Sequence, residues 1–198
     1  MTTSPPRLPA HDVVFWDRVA TSGWYLHPLA SEELRRFERH FPGHRGKRAI
    51  DVGCGTGEFT RHLYAAGLDV TGIDWSPAMI ALARQATSCP LPYVVHDLAL
   101  SDPPGLTPRS VDLVVCRQTL SLLDDPADLL YRIRTHWLRP GGHLYLSEVR
   151  ATDYEARTLR GGMTDQQLDR LGDGWAHAVR YDLTSQRVAC VILRDTAA

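Results

Sequence analysis

The sequence predicts an α/β fold, a doubly wound and mainly parallel sheet with helices on both faces. Three observations carry that expectation. Short apolar runs alternate with helix-patterned segments from about residue 47 to residue 150. One run, "VDLVVC", is nearly all apolar, as a strand buried on both faces should be. The first run, "RAIDVG", leads into a turn with Gly53, Gly55 and Gly57 at every second position, directly before a helix.

The 198 residues fit one domain, 1–198. Residues 1–10, "MTTSPPRLPA", are polar and proline-rich without the apolar stretch of a signal peptide, and are expected to form a mobile tail. An N-terminal segment, 11–46, holds two helices, at 11–24 and 31–41. In the second, "SEELRRFERHF", Leu34, Phe37 and Phe41 form a single apolar stripe. The core, 47–150, follows. "EFTRHLYAAG" is a helix with Phe59, Leu63 and Ala66 on one face, closed by Gly67. "LDVTGID" is the second strand. "SPAMIALARQA" starts a helix with Ser76 as N-cap and Pro77 at its first position. "PYVVHD" is the third strand and "VDLVVC" the fourth. "DPADLLYRIRTHWL" is a helix and "GGHLYLSEV" the fifth strand. In 151–198 the pattern changes. Thr164 and Gln167 form a capping box that opens a short helix, and "WAHAVRYDL" and "RVACVILR" pair as a hairpin.

Composition narrows the function classes. Lys+Arg 22 nearly balance Asp+Glu 23, and no basic block of the kind that grips a phosphate backbone is present, so nucleic acid is not the expected partner. No apolar run is long enough to span a membrane. The cysteines Cys54, Cys89, Cys116 and Cys190 lack paired spacing, which suits reduced thiols and a cytoplasmic location. The nine histidines show no metal-ligand pattern, and no metal is expected.

In a doubly wound sheet a ligand sits outside the carboxyl ends of the strands, where the winding reverses. The three glycines stand there. Glycine permits a tight turn and lets a ligand approach the main chain, and the helix beyond offers unpaired N–H groups. The spacing is GxGxG rather than the GxGxxG of dinucleotide folds, and no Walker lysine follows, which argues against a nicotinamide dehydrogenase and against ATP hydrolysis. Asp74 closes the second strand 23 positions after Asp51, the distance at which an acid meets two ribose hydroxyls. Asp97 and Leu98 follow the third strand, placed to read an adenine edge.

These segments resemble the class I S-adenosylmethionine-dependent methyltransferases. "AIDVGCGTGEFTRHL", "VTGIDWSPAMIALAR" and "VVHDL" are similar to the first three motifs of that family, and "SVDLVVCRQTLSLLDDP" and "LRPGGHLYLSEV" to its fourth- and fifth-strand segments. The resemblance covers about residues 47–150. It implies a Rossmann-like, seven-stranded sheet with an antiparallel C-terminal hairpin and N-terminal lid helices, and S-adenosylmethionine as cofactor. Gly53, Gly55 and Gly57 would line the methionine portion. Asp51 would anchor that loop or contact the methionine amino group, Asp74 would bind the ribose, Trp75 would lie against the adenine, and Asp97 and Leu98 would read its edge.

Residues that could face the methyl group follow strand four (Cys116, Arg117, Gln118) and strand five (Glu148, Arg150). Cys116 reads as a small residue beside the cofactor rather than a nucleophile, since Val115 and not proline precedes it. Trp16 and Trp24 could line an acceptor pocket, with Arg117 and Gln118 opposite. Tyr25, His27 and Glu148 are the candidate catalytic groups. With no inserted substrate domain, a small organic acceptor is expected. The competing readings are a cofactor-binding scaffold or regulatory subunit without transfer activity, and an RNA methyltransferase, against which the missing basic stripe speaks. The acceptor, the atom methylated and the oligomeric state stay open.

Overall fold

The computed structural model describes residues 12–22, 28–43, 45–153, 155 and 161–196. Its elements are α1 (Val13–Ser22), α2 (Ser31–His40), β1 (Arg48–Val52), α3 (Glu58–Ala65), β2 (Asp69–Asp74), α4 (Pro77–Gln85), β3 (Tyr93–Val95), β4 (Val111–Arg117), α5 (Pro126–Arg132), β5 (Leu138–Val149), α6 (Asp165–Arg170), β6 (His177–Asp182) and β7 (Val188–Arg194). The seven strands form one sheet in the order β3-β2-β1-β4-β5-β7-β6. Strands β1 to β5 pair in parallel, and β7 runs antiparallel to both β5 and β6. The expected sheet and hairpin are therefore present, with β7 as the single reversed strand. Among the described residues no helix is long and apolar enough to cross a membrane.

Strand alternation sorts the core into two layers. Val115 of β4 and Tyr145 of β5 face one side, where they meet Phe37, Phe59, Leu63 and Ile80 from α2, α3 and α4. Val114, Cys116, Leu144 and Leu146 face the other, against Leu129, Ile133, Trp137 and Leu168. The caps read from the sequence form. Ser76 Oγ accepts from Met79 N at 3.1 Å, and the Thr164–Gln167 capping box closes in both directions.

Two details differ from the sequence reading. After α5 the chain continues as a π-helical turn, Ile133–Trp137, and β5 begins at Leu138, before the "GGHLYLSEV" run. Val111 pairs with Leu138 but Leu113 with His143, so β5 carries extra residues around Pro140 and Gly141 that bulge out of the ladder.

Helix α2 is pinned to the sheet by a buried ion pair. Glu33 is fully buried, and both its carboxylate oxygens accept from Arg117 Nε at 3.1 Å. Tyr145 Oη donates to the same carboxylate at 3.3 Å, and Arg117 also donates to the Pro28 carbonyl. Removing one member of such a pair leaves an uncompensated charge. Glu33→Ala should lower stability by about 3 kcal/mol, the low end for buried pairs because Arg117 keeps some solvent. The urea midpoint of variant against parent checks this.

Candidate active site

Between β1 and β4 the winding reverses, and a cleft of about 550 Å³ opens there along the carboxyl ends of the strands, within the usual size of small-molecule sites. Each neighbouring strand delivers residues to it. β1 ends in Asp51 and the loop Gly53–Thr56, β2 in Asp74 and Trp75, β3 in His96–Ala99, and β4 in Arg117–Thr119. Trp16 and Val19 reach in from α1, which is tied over the start of α4: Asp17 accepts from Ser76 Oγ and from Ala78 N.

Two acids stand on the floor of the cleft, Asp51 buried and Asp74 half-buried. Asp51 is 1% exposed, with one oxygen accepting from Thr60 Oγ1 at 2.6 Å. Burial pushes its pKa up to about 7, although the Thr60 hydrogen bond and the Arg117 charge pull the other way. Asp74 clamps two backbones at once. Its Oδ2 accepts from Gly55 N and its Oδ1 from Ser76 N, both at 2.9 Å, and burial again raises its pKa. Asp97 is partly exposed at the far end, its Oδ1 accepting from Ala99 N at 2.9 Å.

The three glycines have different causes. All adopt positive φ, at 64°, 53° and 74°. A Cβ on Gly53 would stand 2.1 Å from Thr119 Oγ1, and one on Gly57 would stand 2.4 Å from Tyr93 Oη. Those two are glycine because the protein itself fills the space. A Cβ on Gly55 would meet nothing within 4 Å, so of the two glycines that line the cleft, Gly53 and Gly55, only Gly55 has free space beside it. Gly57, expected to line the ligand, instead sits behind it as the left-handed N-cap of α3.

The strand-end residues on the β4 side also divide. Arg117, Gln118 and Thr119 line the cleft. Cys116, expected beside the cofactor, points the opposite way into the apolar layer and is fully buried. Glu148, expected to face the site, is 1% exposed and does not line the cleft. It is committed underneath, where its carboxylate accepts from Leu120 N at 2.8 Å and from Ser121 Oγ at 2.8 Å. Burial lifts its pKa to about 7. Arg150 is tied to Asp165 and Asp182 and also lies outside the cleft. Trp24, Tyr25 and His27, together with the tail 1–10, lie outside the described residues. The sequence reading missed Thr60, Thr119, Phe59, Leu122 and Leu123. Thr60 alone had a visible signal, as a polar residue on the buried face of α3.

Residues 25–189 match the model of a methyltransferase domain. The chain belongs to that family, the class I S-adenosylmethionine-dependent methyltransferases. It is 28% identical over 204 aligned positions to the ubiquinone biosynthesis O-methyltransferase of Alkalilimnicola ehrlichii, with 89% of this chain and 80% of the relative covered. It is 32% identical over 143 positions to the enzyme of that name from Xylella fastidiosa, covering 67% of this chain and 56% of the relative. The match thus spans little more than half the length of the Xylella protein. A solved S-adenosylmethionine-dependent methyltransferase from Mesorhizobium loti superposes with TM-score 0.64 at 22% identity, over 83% of this chain and 98% of that one, a likeness of fold. The cofactor that goes with the family is S-adenosylmethionine.

The glycines give this methyltransferase a graded test. Gly53→Ala and Gly57→Ala meet both a clash and a positive φ, so each should lower the melting temperature markedly. Gly55→Ala meets only the φ penalty, about 1 kcal/mol, and should melt closer to the parent while losing most of its affinity for S-adenosylhomocysteine. Thermal unfolding with and without that ligand reads both effects.

Proposed function

We propose that this chain binds S-adenosylmethionine across the carboxyl ends of β1, β2 and β3 and transfers its methyl group to an oxygen of a small organic acceptor seated over the β4 side. The observation that carries the reading is Gly55. It is the open position of the loop; Asp74 holds its N–H, buried Asp51 lines the same cleft, and neither acid has a salt-bridge partner among the described residues. A ligand with a positively charged amine and a ribose supplies what both acids lack.

The residues fit that cofactor. The Asp74 carboxylate accepts from the Gly55, Ser76 and Trp75 amides, which leaves one of its four acceptor positions for a ribose hydroxyl. Trp75 lies beside the adenine position, and Asp97 and Leu98 sit at its edge. Asp51 takes the α-ammonium. S-adenosylmethionine supplies a methyl carbon made electrophilic by the sulfonium it leaves. What the chain adds is placement, worth roughly 7–11 kcal/mol when reacting atoms are held about 3–3.5 Å apart. Trp16, Pro28, Phe59, Leu122 and Leu123 give the cleft apolar walls suited to a compact organic acceptor and to excluding water. Oxygen as the methylated atom follows the O-methyltransferase relatives.

Isothermal titration with S-adenosylmethionine and with S-adenosylhomocysteine should give micromolar binding of both, and absence of both would overturn the reading. Binding with no turnover on any hydroxyl-bearing acceptor would favour the scaffold alternative. A second expectation concerns pH. The free protein holds a proton on Asp51 below about pH 7, and the ammonium needs the ionised form. Affinity should therefore rise between pH 6 and pH 7.5, before the ammonium itself titrates near pH 8. Asp51→Asn keeps an oxygen for Thr60 and should bind more weakly with that rise gone.

A further inference from the structure

We infer that Arg61 binds a carboxylate in the cleft, carried either by the amino-acid end of the cofactor or by the acceptor. The inference rests on the methyl-transfer reading and adds to it a residue that selects an acid-bearing ligand.

Three observations meet at this side chain. Arg61 lines the cleft and is half-buried. Its Nη1 donates to Thr56 O at 2.7 Å, while Nε and Nη2 have no partner among the described residues and are not sealed from solvent. No carboxylate of the described residues pairs with it. The other guanidinium on the cleft, Arg117, is paired with Glu33 at 3.1 Å. Glu58, nearly one turn before Arg61 on α3, accepts from Leu29 N at 3.4 Å instead. Arg61 is thus the arginine of the cleft that no acid answers.

Its position follows from the helix. α3 buries Phe59, Thr60 and Leu63, and Arg61 stands on the opposite side. Helical side chains lean toward the N-terminus of their own helix, and Arg61 follows that lean back to Thr56. Thr56 adjoins Gly55, the loop position with free space beside it. A cation held there stands at the positive end of α3, which the helix dipole disfavours. An acid on a ligand offsets that cost. The Nε–Nη2 edge of a guanidinium presents two parallel N–H donors spaced for the two oxygens of a carboxylate, and such bidentate pairs are the strong class of hydrogen bond.

The amino-acid end of the cofactor is the source the placement favours. In an α-amino acid the ammonium and the carboxylate share one carbon, so the groups that hold them belong on one stretch of the cleft. Asp51 at the end of β1 and Arg61 on α3 flank the same loop. An acidic acceptor offers the same chemistry from a second source.

Isothermal titration with two matched pairs tests the inference and separates the sources. The first pair is S-adenosylhomocysteine and its decarboxylated analogue, 5′-S-(3-aminopropyl)-5′-thioadenosine. The second, added to the complex with S-adenosylhomocysteine, is benzoate and benzamide. The wild type should prefer the acid of the first pair by about tenfold, the size of one charge-assisted contact on a part-exposed side chain. Arg61→Gln should lose most of that preference, bind the analogue within about twofold of the wild type and melt within about 2 °C of it, as a side chain outside the core. Arg61→Lys, which keeps the charge without the fork, should fall between the two. A preference confined to benzoate and lost in Arg61→Gln would uphold the inference and give the carboxylate to the acceptor. No preference in either pair, or preferences unchanged in Arg61→Gln, would overturn it. Failure of the wild type to bind either nucleoside would remove the cofactor reading and this inference with it, a result distinct from binding both equally.

Discussion

Everything in the cleft hangs on the seam where the loops leaving β1 and β4 cross. Thr119 occupies the space that a side chain on Gly53 would need, so the two loops share one van der Waals gap and neither can shift alone. On the β1 side this sets Gly55, which Asp74 then clamps from β2. On the β4 side it sets the loop in which Ser147 O of β5 accepts from Gln118 N and Glu148 from Leu120 N. Four adjacent strands, β2-β1-β4-β5, are coupled through that contact. The Glu33–Arg117 pair ties α2, a helix outside the sheet, to the wall of the cleft.

The fold was legible because its signal is local. Apolar runs of strand length, caps such as Ser76 and Thr164, and the "VDLVVC" run each report on their own neighbourhood, and the sheet order follows from right-handed crossovers. The acids Asp51, Asp74 and Asp97 were legible for the same reason, since a strand end is a local feature. The glycines were only half legible. Gly53 answers to Thr119 and Gly57 to Tyr93, side chains that are neighbours in space but far along the chain, so a motif that reads as ligand clearance is in two of three cases protein packing.

Glu148 shows the same limit from the other direction. An acid at a strand end looks equivalent to Asp51 in the sequence. What separates them is the loop after β4, which folds back over β5 and presents Leu120 N, Ser121 N and Ser121 Oγ to the carboxylate. Asp51 has only Thr60 and is left with capacity to spare. One acid is thereby a brace for the loop after β4 and the other keeps capacity to accept. No pattern in one chain distinguishes them, because the difference lies in where a distant loop places its amides.

The costs carried by the structure gather at one end of the sheet. Asp51, Asp74 and Glu148 are the carboxylates with raised pKa among the described residues, and all three stand at carboxyl ends of strands around one cleft. The carboxylates held low, Glu32, Asp102, Glu155, Asp165 and Asp195, are paired or hydrogen-bonded away from it. Gln118, strained and with an unmet donor, falls among the raised group. Each feature lowers stability, and they are crowded onto one end of one sheet. Selection for stability alone would disperse or remove them. Their concentration fits the proposed ligand, whose ammonium would answer Asp51 and whose ribose hydroxyls would answer Asp74.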